Sequence, residues 1–170
     1  MESSPGIKAQ PLAVAGLLPA SILAVMMLGC KPIAEAPQHE HSRINGSVPP
    51  GLVTAAEKTQ LLAKSRDADG RVLLVYKTIR VPGTRAPIHY HDHGGVTCVL
   101  EGQSTMRIEG RAAVNYKAGD CFEMPPRVPM ANLSSGKGSF VTLDIFAVPD
   151  GAPVWRVVEP GQQGISSQFN

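Results

Sequence analysis

The sequence predicts an all-β fold, a sandwich or barrel of short strands around one core. Three observations lead there. Segments rich in Val, Leu, Ile and Tyr recur, in part alternating with polar residues, as strands with one buried face do. Turn signals such as Asp67-Ala68-Asp69-Gly70 and Lys117-Ala118-Gly119-Asp120 separate them roughly every eight to twelve residues. Seventeen Gly and fifteen Pro are spread along the 170 residues, which disfavours a helical bundle, and a chain of this length has room for one core.

Residues 1–30 read as an export segment. No charged residue lies between Pro11 and Gly29, and Lys8 precedes that run. Met27-Leu28-Gly29-Cys30 resembles the lipobox of bacterial lipoproteins, which implies lipidation of Cys30 and a membrane tether. An uncleaved anchor, plain secretion with cleavage at Ala34-Glu35-Ala36, and an ordinary apolar stretch are the alternatives. Residues 31–51, with four prolines and no aromatic, read as an extended linker in which His39 and His41 are solvated. The domain is expected over residues 52–155, followed by a flexible tail over 156–170, rich in Pro and Gly.

Within the domain, Glu57 to Lys64 reads as a short helix or a first strand, and Arg71 to Pro82 as a strand. Then come the cluster His89-Tyr90-His91-Asp92-His93 and strands over Val96–Leu100, Gln103–Ile108, Ala113–Tyr116, Cys121–Met124 and Ser139–Val148. In an exported chain Cys98 and Cys121 could bridge. Their spacing does not fix whether they approach, and two buried thiols are the simpler expectation. A net charge of +2, with no basic patch interleaved with aromatics, excludes nucleic-acid binding. No Gly-x-Ser-x-Gly elbow or phosphate-binding glycine loop is present.

Gly83-x5-His89-x-His91 followed by Val99-Leu100-Glu101-Gly102 resembles the first motif of the cupins, and Gly119-Asp120, Pro125 and Asn132 resemble the second. The resemblance, to the small single-domain type-2 class, covers roughly residues 71–148. It implies a jelly-roll β-barrel with an interior pocket, commonly dimeric. It also implies a metal held by two His and a Glu from the first motif and one His from the second. The two His match His89 and His91, but the Glu position is Gly95 and the second-motif His position is Met130. On an extended strand His93 would share a face with His89 and His91, so a three-imidazole site is one expectation, with iron, manganese, nickel or zinc as the ion. The other is a metal-free pocket, since Gly94-Gly95 suggests a loop that turns His93 away.

Met106, Phe122, Glu123, Met124 and Met130 are the expected pocket lining. Two functions follow. One is an exported module that binds a small molecule beside a degenerate metal site. The other is a metal-dependent oxygenase, isomerase or decarboxylase built on a restored His-rich site. A homodimer is compatible with either, and no catalytic residue is assigned.

Overall fold

The computed structural model describes residues 40–169. The export segment, the lipidation position Cys30 and the linker residue His39 lie outside them. Among the described residues no helix is long and apolar enough to cross a membrane.

Among the described residues twelve strands run in order: β1 (Leu52–Val53), β2 (Lys58–Arg66), β3 (Arg71–Arg80), β4 (Thr84–Arg85), β5 (His89–Tyr90), β6 (Gly95–Glu101), β7 (Gln103–Ile108), β8 (Val114–Lys117), β9 (Cys121–Met124), β10 (Met130–Ser134), β11 (Phe140–Pro149) and β12 (Arg156–Val157). A short 3-10 segment, Gln163–Phe169, follows. The strands form two sheets. One has the order β2-β3-β11-β6-β9 and is antiparallel throughout. The other centres on β10, which pairs with β4, β5 and β7, and is extended by β1, β8 and β12.

The expected closed barrel is corrected here, because hydrogen bonding does not run continuously around the molecule. The reason lies at the corners. Pro82, Pro87, Pro125, Pro126 and Pro129 offer no backbone donor, and β4 and β5 are two residues each. Side chains between the two sheets close the core instead. It contains Val72, Leu74, Tyr76, Val99, Phe146 and Val148, and Phe146 is 1% exposed.

Alternation decides what faces that core. Along β3 the buried positions are Val72, Leu74, Tyr76, Thr78 and Arg80, so one inner face runs from apolar to polar. On β11 the matching face carries Thr142, Asp144, Phe146 and Val148, with Thr142 opposite Thr78. Polar side chains thus gather at one end of the core while the other end stays apolar.

Three expectations at the margins are corrected. Cys98 and Cys121 are not free thiols: they face each other across β6 and β9, with Cα atoms 4.0 Å apart, and form a disulfide. The linker is anchored from Ile44 onward, which is buried against Ile88 and Val158. Asn45 accepts from the Gly110 backbone N–H at 2.7 Å and donates to the Arg111 carbonyl at 2.8 Å. The tail is docked rather than flexible. Val157 and Val158 are buried, and Glu159 accepts two 2.7 Å hydrogen bonds from the Arg85 guanidinium and one from the Ile88 backbone N–H.

Candidate functional site

A cavity of about 60 Å³ lies at the polar end of the core, between the two sheets. Its apolar walls are Met106, Phe122, Met124, Phe146, Trp155 and Phe169, and its polar groups are Arg80, His89, His91, Asn132, Asp144 and three threonine hydroxyls. Phe169 arrives on the 3-10 segment, where its carbonyl accepts the Tyr76 hydroxyl proton at 3.0 Å. The C-terminal segment is therefore part of the site.

The two imidazoles are fixed in the same way. His89 Nδ1 lies 2.7 Å from the Pro87 carbonyl oxygen, and His91 Nδ1 lies 2.8 Å from that of Val154. A carbonyl can only accept, so each Nδ1 carries the proton and each Nε2 presents a lone pair. Burial holds both rings neutral. His89 is pushed down to about 3 by desolvation, with His91 and Arg80 adding to it against the Pro87 carbonyl. His91 is pushed down to about 4 by desolvation, against the Val154 carbonyl and Asp92. The ring centroids are 5.0 Å apart and nearly perpendicular, and His91 stacks on Phe146. His91 Nε2 is buried without a hydrogen-bond partner, as is Asn132 Oδ1.

On the facing sheet, Asp144 accepts hydroxyl protons from Thr78 and Thr97 at 2.7 Å each and from Thr142 at 3.0 Å. Burial raises its pKa, while the three hydroxyls and Arg80 act in the opposite direction. Arg80 is 5% exposed and uses Nη1 to bond the Thr54 carbonyl at 3.0 Å. Desolvation lowers its pKa to about 10, which leaves it charged at neutral pH.

The structure brings His89, His91, Met106, Phe122 and Met124 together around the cavity, as the sequence suggests, but not the rest of the expected set. His93 is exposed on a turn at residues 92–93, followed by Gly94 at φ +69°, so the strand ends before its ring can join the other two. Glu123 points outward from β9, opposite exposed Val96. Met130 is fully buried in the core beside His89 and does not line the cavity. Asn132, part of the second-motif resemblance, lies on β10 and lines the cavity.

Sequence reasoning missed Arg80, Thr97, Asp144 and Phe169. Asp144 had a usable signal, being the one carboxylate in the apolar run from Ser139 to Val148. Arg80 had a weaker one, at an even step from Val72 on a strand whose even positions are buried.

These positions also test the metal that the cupin resemblance implies. A Cβ added at Gly95 would lie 2.7 Å from Phe146 Cδ1, 2.9 Å from Met124 Cε and 2.9 Å from the Ile145 carbonyl oxygen. The Glu position is therefore filled by neighbouring side chains, and the His position is an apolar methionine. Among the described residues, no three His, Cys, Asp or Glu are placed to hold a metal ion. Two imidazoles alone leave half of a tetrahedral shell, or two thirds of an octahedral one, unsupplied. The residues present do not fit the implied metal.

Residues 78–146 match the sequence model of a family described as Cupin domain. A cupin-like protein from Thermotoga maritima superposes with a TM-score of 0.51 at 20% identity, over 64% of this chain and 80% of that one. An uncharacterized conserved protein with a double-stranded β-helix domain from Klebsiella pneumoniae gives 0.48 at 20% identity, over 64% and 90%. A DMSP lyase from Ruegeria pomeroyi gives 0.49 at 18% identity, over 62% and 54%. No curated protein matches the sequence significantly.

Proposed function

We propose that this chain, whose residues 78–146 match the sequence model of the Cupin domain, is an exported binding module that holds a small organic molecule between its two sheets without a metal ion. The observation that carries the reading is His91. Its tautomer is fixed by the Val154 carbonyl, burial holds it neutral, and its Nε2 is an unpartnered acceptor in a cavity walled by aromatic and methionine side chains. Apolar walls with a few placed polar atoms are what a small-molecule site consists of. An unmatched buried acceptor favours a ligand that brings a hydrogen-bond donor.

Export is supported by the disulfide between Cys98 and Cys121, a bond that persists in oxidising compartments. Tethering through Cys30 remains part of the proposal.

The test is elemental analysis of the purified protein after incubation with iron, manganese, nickel or zinc, together with melting curves over a panel of small organic compounds. The reading predicts substoichiometric metal, a melting temperature indifferent to chelator, and stabilisation by at least one compound that is lost in His91→Ala. Stoichiometric metal that disappears in His91→Ala would replace it with the metal-dependent enzyme.

A further inference from the structure

Arg80 is the least expected group in the cavity. A guanidinium has five donors, and here only Nη1 is engaged, with the Thr54 carbonyl at 3.0 Å and the Thr54 hydroxyl at 3.4 Å. Among the described residues Nε and Nη2 have no hydrogen-bond partner, and no carboxylate forms an ion pair with Arg80. The nearby carboxylate, Asp144, is occupied by Thr78, Thr97 and Thr142. The contrast within the same chain is Arg85, equally buried, whose fork is closed by both oxygens of Glu159. Asp144 acts on Arg80 only through space and makes no hydrogen bond to it, so an anion supplied from outside would close the open fork.

The cavity carries complementary needs. Arg80 offers two adjacent N–H directions, the geometry that matches a planar carboxylate. His91 Nε2 and Asn132 Oδ1 are buried acceptors that lack a donor. We propose that the ligand is a small hydroxycarboxylate, its carboxylate held by Arg80 and its hydroxyl donating to His91 Nε2.

This assignment rests on the metal-free binding reading above. Charge selects a monoanion over phosphate or sulfate. Among the described residues Arg80 is the one cation lining the cavity, and both imidazoles are neutral, so a single negative charge is matched there. Size selects a short chain. A cavity of about 60 Å³ is well below the roughly 150 Å³ that accommodates benzene, although Met106 and Met124 can adjust.

The experiment is isothermal titration of the full chain, in chelator, with lactate, propionate and 1,2-propanediol. Lactate should bind, and propionate, lacking the hydroxyl, should bind roughly tenfold more weakly. Propanediol, lacking the carboxylate, should not bind measurably. Arg80→Gln should abolish lactate binding. Arg80→Lys, which keeps the charge and loses the fork, should weaken it by about tenfold. It serves as the test if Arg80→Gln proves unfolded by near-ultraviolet circular dichroism.

The proposal is overturned if lactate does not bind, if propanediol binds as well, or if folded Arg80 variants bind lactate unchanged. Neutral compounds that bind with dependence on His91 while lactate fails would remove the carboxylate and leave the binding reading standing. If nothing in the panel binds, both fall.

Discussion

Gly95→Ala isolates the claim that packing has closed the position where a metal-binding cupin places its glutamate. The added Cβ would sit 2.7 Å from Phe146 Cδ1 and 2.9 Å from both Met124 Cε and the Ile145 carbonyl oxygen. The methionine methyl can swing aside. The Ile145 carbonyl belongs to β11, which is paired on both sides, and cannot move without disturbing two ladders. Overpacking of this kind costs about 1–3 kcal/mol. Replacing glycine returns about 0.4–1 kcal/mol by restricting the unfolded chain. The net loss should be about 1–2 kcal/mol, read as a lower urea midpoint at constant slope. Gly95→Ala should cost less in a Phe146→Leu background than in the parent, because the smaller side chain relieves the ring contact and leaves the carbonyl contact in place. A Gly95→Ala protein as stable as the parent would refute the reasoning, since the space would then be open to a larger side chain.

Four further outcomes follow from other parts of the molecule. Reducing Cys98–Cys121, which are 23 residues apart, should lower stability by about 3 kcal/mol, seen as a drop in urea midpoint with dithiothreitol. The buried imidazoles make stability fall in acid. Their folded pKa values, about 3 and about 4, lie below the unfolded value of 6.5, so the unfolded chain takes up the protons first. Their contribution is intact above about pH 6.5 and is lost as pH falls from there through about 4 for His91 and about 3 for His89. Each unit of separation amounts to about 1.4 kcal/mol. Asp144, with its pKa raised, offsets part of this at the acid end. A double His89→Phe, His91→Phe variant should flatten the profile, and an equally steep one would contradict the assignment. Arg85→Ala should cost about 3–5 kcal/mol by stranding Glu159, and should raise proteolysis of the C-terminal segment. Phe169→Ala removes one wall of the cavity and should speed ligand exchange measured by stopped flow.

The strands that carry the fold were legible because their signal is local. Gln103–Ile108 and Cys121–Met124 coincide with β7 and β9 residue for residue, and Arg71–Pro82 contains β3. The strands β4, β5 and β12 were not legible, because two residues hold no periodicity and only pairing partners define them. The tail was misjudged because its Pro and Gly outweighed Val157 and Val158, whose burial depends on a distant sheet. In the site, His89 and His91 were legible from their spacing and His93 failed for a local reason, the turn before Gly94. Arg80 and Asp144 become site residues only when β3 and β11 pair and bring Thr78 opposite Thr142. That long-range fact no window of sequence contains.

The most direct measurement is the ¹⁵N spectrum of the imidazole rings at neutral pH, with and without one equivalent of zinc. The account predicts that His89 and His91 are both neutral and protonated at Nδ1, with Nε2 shifts unaltered by zinc. Movement of the two Nε2 resonances to metal-coordinated positions at one equivalent would contradict it.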